Sequence, residues 1–274
     1  MLRSLFSGIS GLRVHQQKMD VTGNNIANVN TTGFKTSQTN FQDTLSQMIN
    51  AAGAPGGNLG GTNPAQIGLG VRLAGIDTNF GQGAAQTTGR NTDLMLSGDG
   101  FFVVNNGTEQ LYTRAGSFNF DSTGVLVSAD GSRIQGWTAA GGAIDDTLAI
   151  DDITLPANLQ SYTISQDGTI VGVLADGTKE AVARIAVADF VNPAGLEKAG
   201  NSTYRTTVNS GVATVGTAGE GGAGLIQSGA LEMSNVDLAQ EFTNLIIAQR
   251  GFQANTKVIS TSDELLNDLV NLKR

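Results

Sequence analysis

Two stretches of apolar residues spaced three and four apart, one at each end of the chain, constrain the fold more than any other feature. The first runs through Leu2, Leu5, Ile9, Leu12, Gln16, Met19, Gly23 and Ile26. The second runs through Leu238, Phe242, Leu245, Gln249, Phe252, Thr256, Ile259, Asp263, Leu266 and Val270. Alternating steps of three and four make the seam of a coiled coil, so each end reads as a long helix. Gly8, Gly11 and Gly23 interrupt the first, each costing about 1 kcal/mol of helix propensity against Ala. That helix needs a partner. The second begins at a capping box of Ser234 and Asp237 and ends on Lys273 and Arg274, at the negative pole of the helix dipole. Ile246, Leu265, Leu269 and Leu272 widen its stripe beyond what one partner covers. The two helices either lie on the central domain as ordinary amphipathic helices or, more economically, pack on each other.

Between them the spelling changes to strands and turns. Phe101–Val104, then Asn106-Gly107, then Leu111–Thr113 reads as a β-hairpin. Asp130-Gly131, Asp167-Gly168 and Asp176-Gly177 signal further turns, flanked by strand candidates at Gly124–Val127, Ser161–Ile164, Thr169–Leu174 and Ala183–Phe190. The expected fold class is α+β: paired coiled-coil-like terminal helices and a mostly antiparallel β domain. The expected divisions are terminal helices at 1–30 and 234–274, Gly-rich connecting segments at 31–71 and 216–233, and a β domain at 72–215. The connectors rest on the glycine runs at 51–61 and 216–224, which read as flexible linkers.

Composition narrows the functions. Only 15% of residues are charged and the net charge is -8, without the clustered Lys and Arg of a phosphate-binding surface, so nucleic acid is not an expected partner. Cysteine is absent, which excludes disulfides and thiolate metal sites. No apolar run reaches the roughly 18 residues of a transmembrane helix, and the first twenty residues lack the apolar stretch of a secretory signal. On these features alone the chain reads as cytoplasmic, with no membrane insertion.

An enzyme needs a site, and the residues do not provide one. The single histidine, His15, cannot build a usual zinc site and reads as a packed or solvated helix residue. Ser7–Gly11 lacks the spacing of a nucleophile elbow, and Gly68–Gly75 matches neither a dinucleotide fingerprint nor a P-loop. Asp145-Asp146 and Asp151-Asp152 could in principle face a calcium ion, but their spacing is not that of an EF-hand, and a solvated acidic loop is the simpler reading. A secreted enzyme or carbohydrate-binding β domain would need clustered aromatics, whereas Tyr112, Trp137, Tyr162 and Tyr204 are scattered. The sequence therefore points to no catalytic, cofactor or metal site.

Three stretches carry a resemblance. Leu5–Lys35 runs through Asn-Asn-Ile-Ala-Asn to Thr-Gly-Phe-Lys. Gly89–Val103 ends in Gly-Asp-Gly-Phe-Phe-Val and is followed by Tyr112–Gly116 and Phe118. Gly229–Arg274 opens on Gly-Ala-Leu-Glu-Met-Ser-Asn-Val-Asp-Leu. Together they resemble the flagellar rod–hook axial family. Gly68–Ile76, Arg133–Trp137 and Phe190–Gly200 are similar to the hook type in its short Gram-positive form. The glycine-rich stretch at 51–66 is similar to an insertion of distal rod proteins, the alternative reading. The resemblance implies a non-enzymatic subunit of a self-assembling helical tube, in hook form a universal joint between rod and filament. It also implies export through the flagellar type III apparatus without a cleaved signal, and so an extracellular place in the flagellum, against the cytoplasmic reading above. Implied partners are further copies of the chain and the hook cap, distal rod and hook–filament junction proteins. The polymer interface is then expected on the seams, at Leu5, Ile9, Leu12, Met19, Ile26, Leu238, Phe242, Leu245, Phe252, Ile259 and Leu266.

Overall fold

The structure, a computed structural model, describes residues 2–55, 60–139, 144–146, 148–156, 159–174 and 177–271. Asp176, Leu272, Lys273 and Arg274, named above for a turn and a helix end, lie outside the described residues. The chain divides into two compact units. One holds residues 1–27, 37–78 and 237–274, and the other residues 28–36 and 79–236.

The helical unit is built on α1, Leu2–Ala27, and α2, Leu238–Asn271. Among the described residues no helix is long and apolar enough to cross a membrane. α2 starts differently from the expected capping box. The Asp237 carboxylate itself accepts from the backbone N–H groups of Ala239 (2.9 Å) and Gln240 (3.2 Å), while Ser234 Oγ accepts from Val236. Asp237 is the N-cap because its short side chain reaches the free amides of the first turn. α1 stops where Asn25, buried, turns its amide onto the next segment. Its Oδ1 accepts from Ser37 N (3.1 Å) and its Nδ2 donates to Ser37 O (2.8 Å).

Residues 37–78, expected as largely a connector, are mostly strand. Ser37–Asp43 pairs antiparallel with Val71–Thr78, with a bulge between Asn40 and Phe41. Beyond it Ser46–Asn50 pairs with Ala65–Gly68, and every residue of those two strands is exposed. Gly53, Gly60 and Gly61 therefore lie near the end of a two-stranded arm, and the rest of the glycine run, residues 56–59, lies outside the described residues.

The β unit is mostly antiparallel. Its central strand, Phe101–Asn105, pairs with Gln110–Thr113, Arg133–Thr138 and Val187–Asp189. Side chains alternate across a strand: Phe102 and Val104 enter one core cluster with Leu96, Phe118 and Ile134, and Phe101 and Val103 enter another with Tyr112, Trp137 and Phe190. Burial on both faces explains the unbroken apolar run Phe101–Val104. The expected turns at Asn106-Gly107 and Asp167-Gly168 hold Gly107 (φ 78°) and Gly168 (φ 80°) in the left-handed region that favours glycine. The expected connector at 216–233 also carries strands: Leu225–Ser228 pairs with Leu94–Ser97, and Ala230–Glu232 with Ala85–Thr87. Ile226, from the first of these, is buried in the larger core.

Candidate assembly surface

The two helices do meet, and antiparallel: Gly8 faces Ile259, Gly11 faces Asn255, His15 faces Gly251, and Asn25 Nδ2 donates to Glu241 Oε1 at 3.3 Å. Glycines on one helix face larger side chains on the other. A Cβ on Gly11 would lie 2.8 Å from the Asn255 amide, and one on Gly251 would lie 2.5 Å from the His15 ring. The glycines thus set the close approach. Val14, Thr22, Asn25, Ala248 and Ser262 complete the buried stripe. His15 packs edge-on to Phe41, and burial together with Lys18 holds its pKa below the ordinary imidazole value.

This corrects the seams. Ile9 (39% exposed), Leu238 and Phe242 (50%) do not face the partner helix, and Leu5, Leu12, Met19, Ile26, Leu245, Phe252, Ile259 and Leu266 are half-buried. The reason is steric: glycines line much of the contact, so Ile259 packs over Gly8 while Ile9, Leu238 and Phe242 are turned to the flanks. At about 3.6 residues per turn, Leu238, Phe242 and Ile246 form one exposed ridge of α2. Ile247, Val258 and Leu265 form another on the opposite flank of the buried stripe. Phe6 on α1 (67% exposed) and Leu45, Met48, Ile49 and Ile67 on the arm are also exposed. Large contiguous apolar surfaces of this kind mark sites of association.

Replacing Gly11 by Leu is expected to force α1 off α2, because overpacking a tight contact costs about 2 kcal/mol. In the assembled protein this should lower the dissociation temperature. A wild-type midpoint would show that Gly11 does not sit against α2.

In the β unit, the quoted motifs converge on charge. Lys35 and Glu232 are fully buried and Arg114 nearly so. Lys35 Nζ donates to Glu232 Oε1 at 2.6 Å and to Gly81 O at 2.9 Å. Glu232 Oε1 also accepts from Gly83 N at 2.9 Å, and Arg114 Nη1 lies 3.5 Å from Oε2 while donating to Gly98 O at 2.9 Å. The guanidinium rests over the Phe101 ring, 5.2 Å from its centroid. Burial pulls the pKa of both cations below their ordinary values, with Glu232 opposing the shift. Nearby, burial raises the Tyr204 phenol to about 12. Of the acidic loop, Asp152 pairs with Arg133 at 2.8 Å and Asp146 with Arg184 at 2.6 Å. The indole N–H of Trp137 donates to Leu148 O, and its ring is core packing.

Comparison with known proteins places these segments. Residues 5–35 match the family described as "Flagella basal body rod protein", residues 95–172 the "Flagellar hook protein FlgE/F/G D1 domain", and residues 227–272 the "Flagellar basal body rod FlgEFG protein C-terminal". The "Flagellar basal-body rod protein FlgG" of Bacillus subtilis is 49% identical over 275 residues, covering 100% of both chains. The chain belongs to the flagellar rod–hook family. In Borreliella burgdorferi both branches have a relative that covers 100% of both chains. The basal-body rod protein FlgG is 37% identical over 285 residues, and the hook protein FlgE is 33% identical over 441. Members of this family are structural proteins of the basal body and hook, and this chain is not an enzyme. Lys35, Arg114 and Glu232 come one from each matched segment.

Proposed function

We propose that the chain is a structural subunit of the flagellar rod, of the distal-rod type, that polymerises into a helical tube. Length carries this reading. Rod relatives align over 275 and 285 residues, whereas the hook relative of Borreliella burgdorferi aligns over 441, so that hook protein holds long segments for which this chain has no counterpart. At the level of the family, rod and hook readings agree. The short hook form keeps support from the hook-like segments Gly68–Ile76, Arg133–Trp137 and Phe190–Gly200, and in that form the tube would act as the universal joint.

In either form the exposed ridges of α2 are buried by neighbouring copies of the chain. Contacts between unlike faces that do not close into a ring generate a helical polymer. The seam residues facing outward, Ile9, Leu238 and Phe242 above all, belong to that interface. Export through the flagellar type III apparatus and junctions with adjoining rod, hook and cap proteins follow from the same reading.

A deletion strain separates the two forms. Electron microscopy of its basal bodies is expected to show a truncated rod and no hook. A complete rod that merely lacks a hook would assign the chain to the hook.

A further inference from the structure

Lys35 stands where the β unit receives the chain from α1, and Glu232 stands where it hands the chain on to α2, 197 residues later. We infer that the Lys35–Glu232–Arg114 cluster is a closure lock: the β unit completes its fold only when both of its terminal segments dock, and the Glu232 carboxylate joins them.

Glu232 touches three other segments of the β unit. Its side chain takes Lys35 from the first segment, Gly83 N from the next turn and Arg114 from the central hairpin. Its carbonyl accepts from Gly33 N at 2.8 Å, and the following amide, Met233 N, donates to Ala84 O at 2.9 Å. Remove the carboxylate and two cations remain buried together: Lys35 keeps the Gly81 carbonyl, and Arg114 keeps the Gly98 carbonyl and the more distant charge of Asp99. A buried pair that loses one partner leaves an uncompensated charge, which is far worse than never having had the pair.

The backbone around the cluster is closely packed. A Cβ on Gly33, itself at φ 67°, would lie 2.4 Å from Ala115 N, and one on Gly83 would lie 1.9 Å from Met233 O. The same terminal strands also supply Ile226 to the core and pair with Leu94–Ser97 and Ala85–Thr87. Contacts so distant in sequence form late in folding. In a chain synthesised from its N-terminus, the β unit therefore stays open until residues near 232 are available. The lock is the same whether the subunit serves rod or hook.

Hydrogen exchange of the full-length chain tests it, read on peptides covering Phe101–Asn105 and Arg133–Thr138. Glu232→Gln is expected to speed exchange of these central strands by about a hundredfold or more, and Lys35→Met by about tenfold, since Arg114 still faces the carboxylate. The charge-free triple variant Lys35→Met, Arg114→Met, Glu232→Leu is expected to regain most of the protection. Loosening confined to residues 28–36, 79–84 and 225–236 in Glu232→Gln would overturn the lock. So would a triple variant no better protected than Glu232→Gln. If Glu232→Gln yields no folded protein, the triple variant decides: folded, it supports the lock, and unfolded, it overturns it.

Discussion

Replacing both Phe242 and Ile246 by aspartate is expected to abolish assembly while leaving the β unit folded. The two residues are 50% and 55% exposed and lie one turn apart on a ridge of α2 that does not face α1. In the free subunit they are surface positions, where substitutions usually change stability by about 0.5 kcal/mol or less. In the proposed polymer the same positions are covered. Covering the exposed half of each side chain contributes about 1 kcal/mol. Two carboxylates without partners replace that gain with a penalty of several kcal/mol. The loss recurs at every subunit, so the polymer fails as a whole. Motility and electron microscopy of basal bodies read the assembly, and thermal unfolding of the purified variant reads the fold. Normal flagella with an unchanged unfolding midpoint would place the ridge in solvent.

The ends of the chain were legible because helical periodicity survives whatever the partner is. Leu2–Ala27 and Leu238–Asn271 are the two helices that the spacing demands. Which face they share was not legible. Apolar periodicity points to the bulky residues, whereas this contact is set by Gly8, Gly11 and Gly251, which a propensity argument counts only as weaknesses. Their recurrence at helical spacing was the signal for a close approach. The central hairpin was plain because Asn106-Gly107 admits few alternatives between two strands. The arm was hidden by its composition: Ser46–Asn50 and Ala65–Gly68 bury nothing, so no apolar face marks them, and the glycines at their end look like a linker. Lys35, Arg114 and Glu232 sat inside motifs already noticed. That they meet depends on contacts spanning 197 residues, which no local pattern reports.

Amides of α1 and α2 are expected to exchange at least about a hundredfold faster in the isolated subunit than in the polymer, while the central strands of the β unit stay protected in both. Helical segments draw most of their stability from packing an apolar face, not from propensity. Within one chain that face is narrow: glycines meet Ile259, Asn255 and His15, and Phe6, Phe242, Ile246, Ile247 and Leu265 remain exposed. Gly8, Gly11 and Gly23 subtract about 1 kcal/mol each from α1. The β unit differs in kind, because both faces of Phe101–Asn105 are buried. Local opening therefore costs little at the chain ends and much in the middle. In the proposed polymer neighbouring subunits supply the missing walls, so assembly and helix stabilisation would become one event. Such coupling also restrains the ridges from associating before a growing end presents the right surface. Exchange measured on a verified monomer and on the assembled protein decides the matter. Slow exchange of both helices in the monomer would show that each subunit completes its own helix pair, and assembly would then be docking of finished parts.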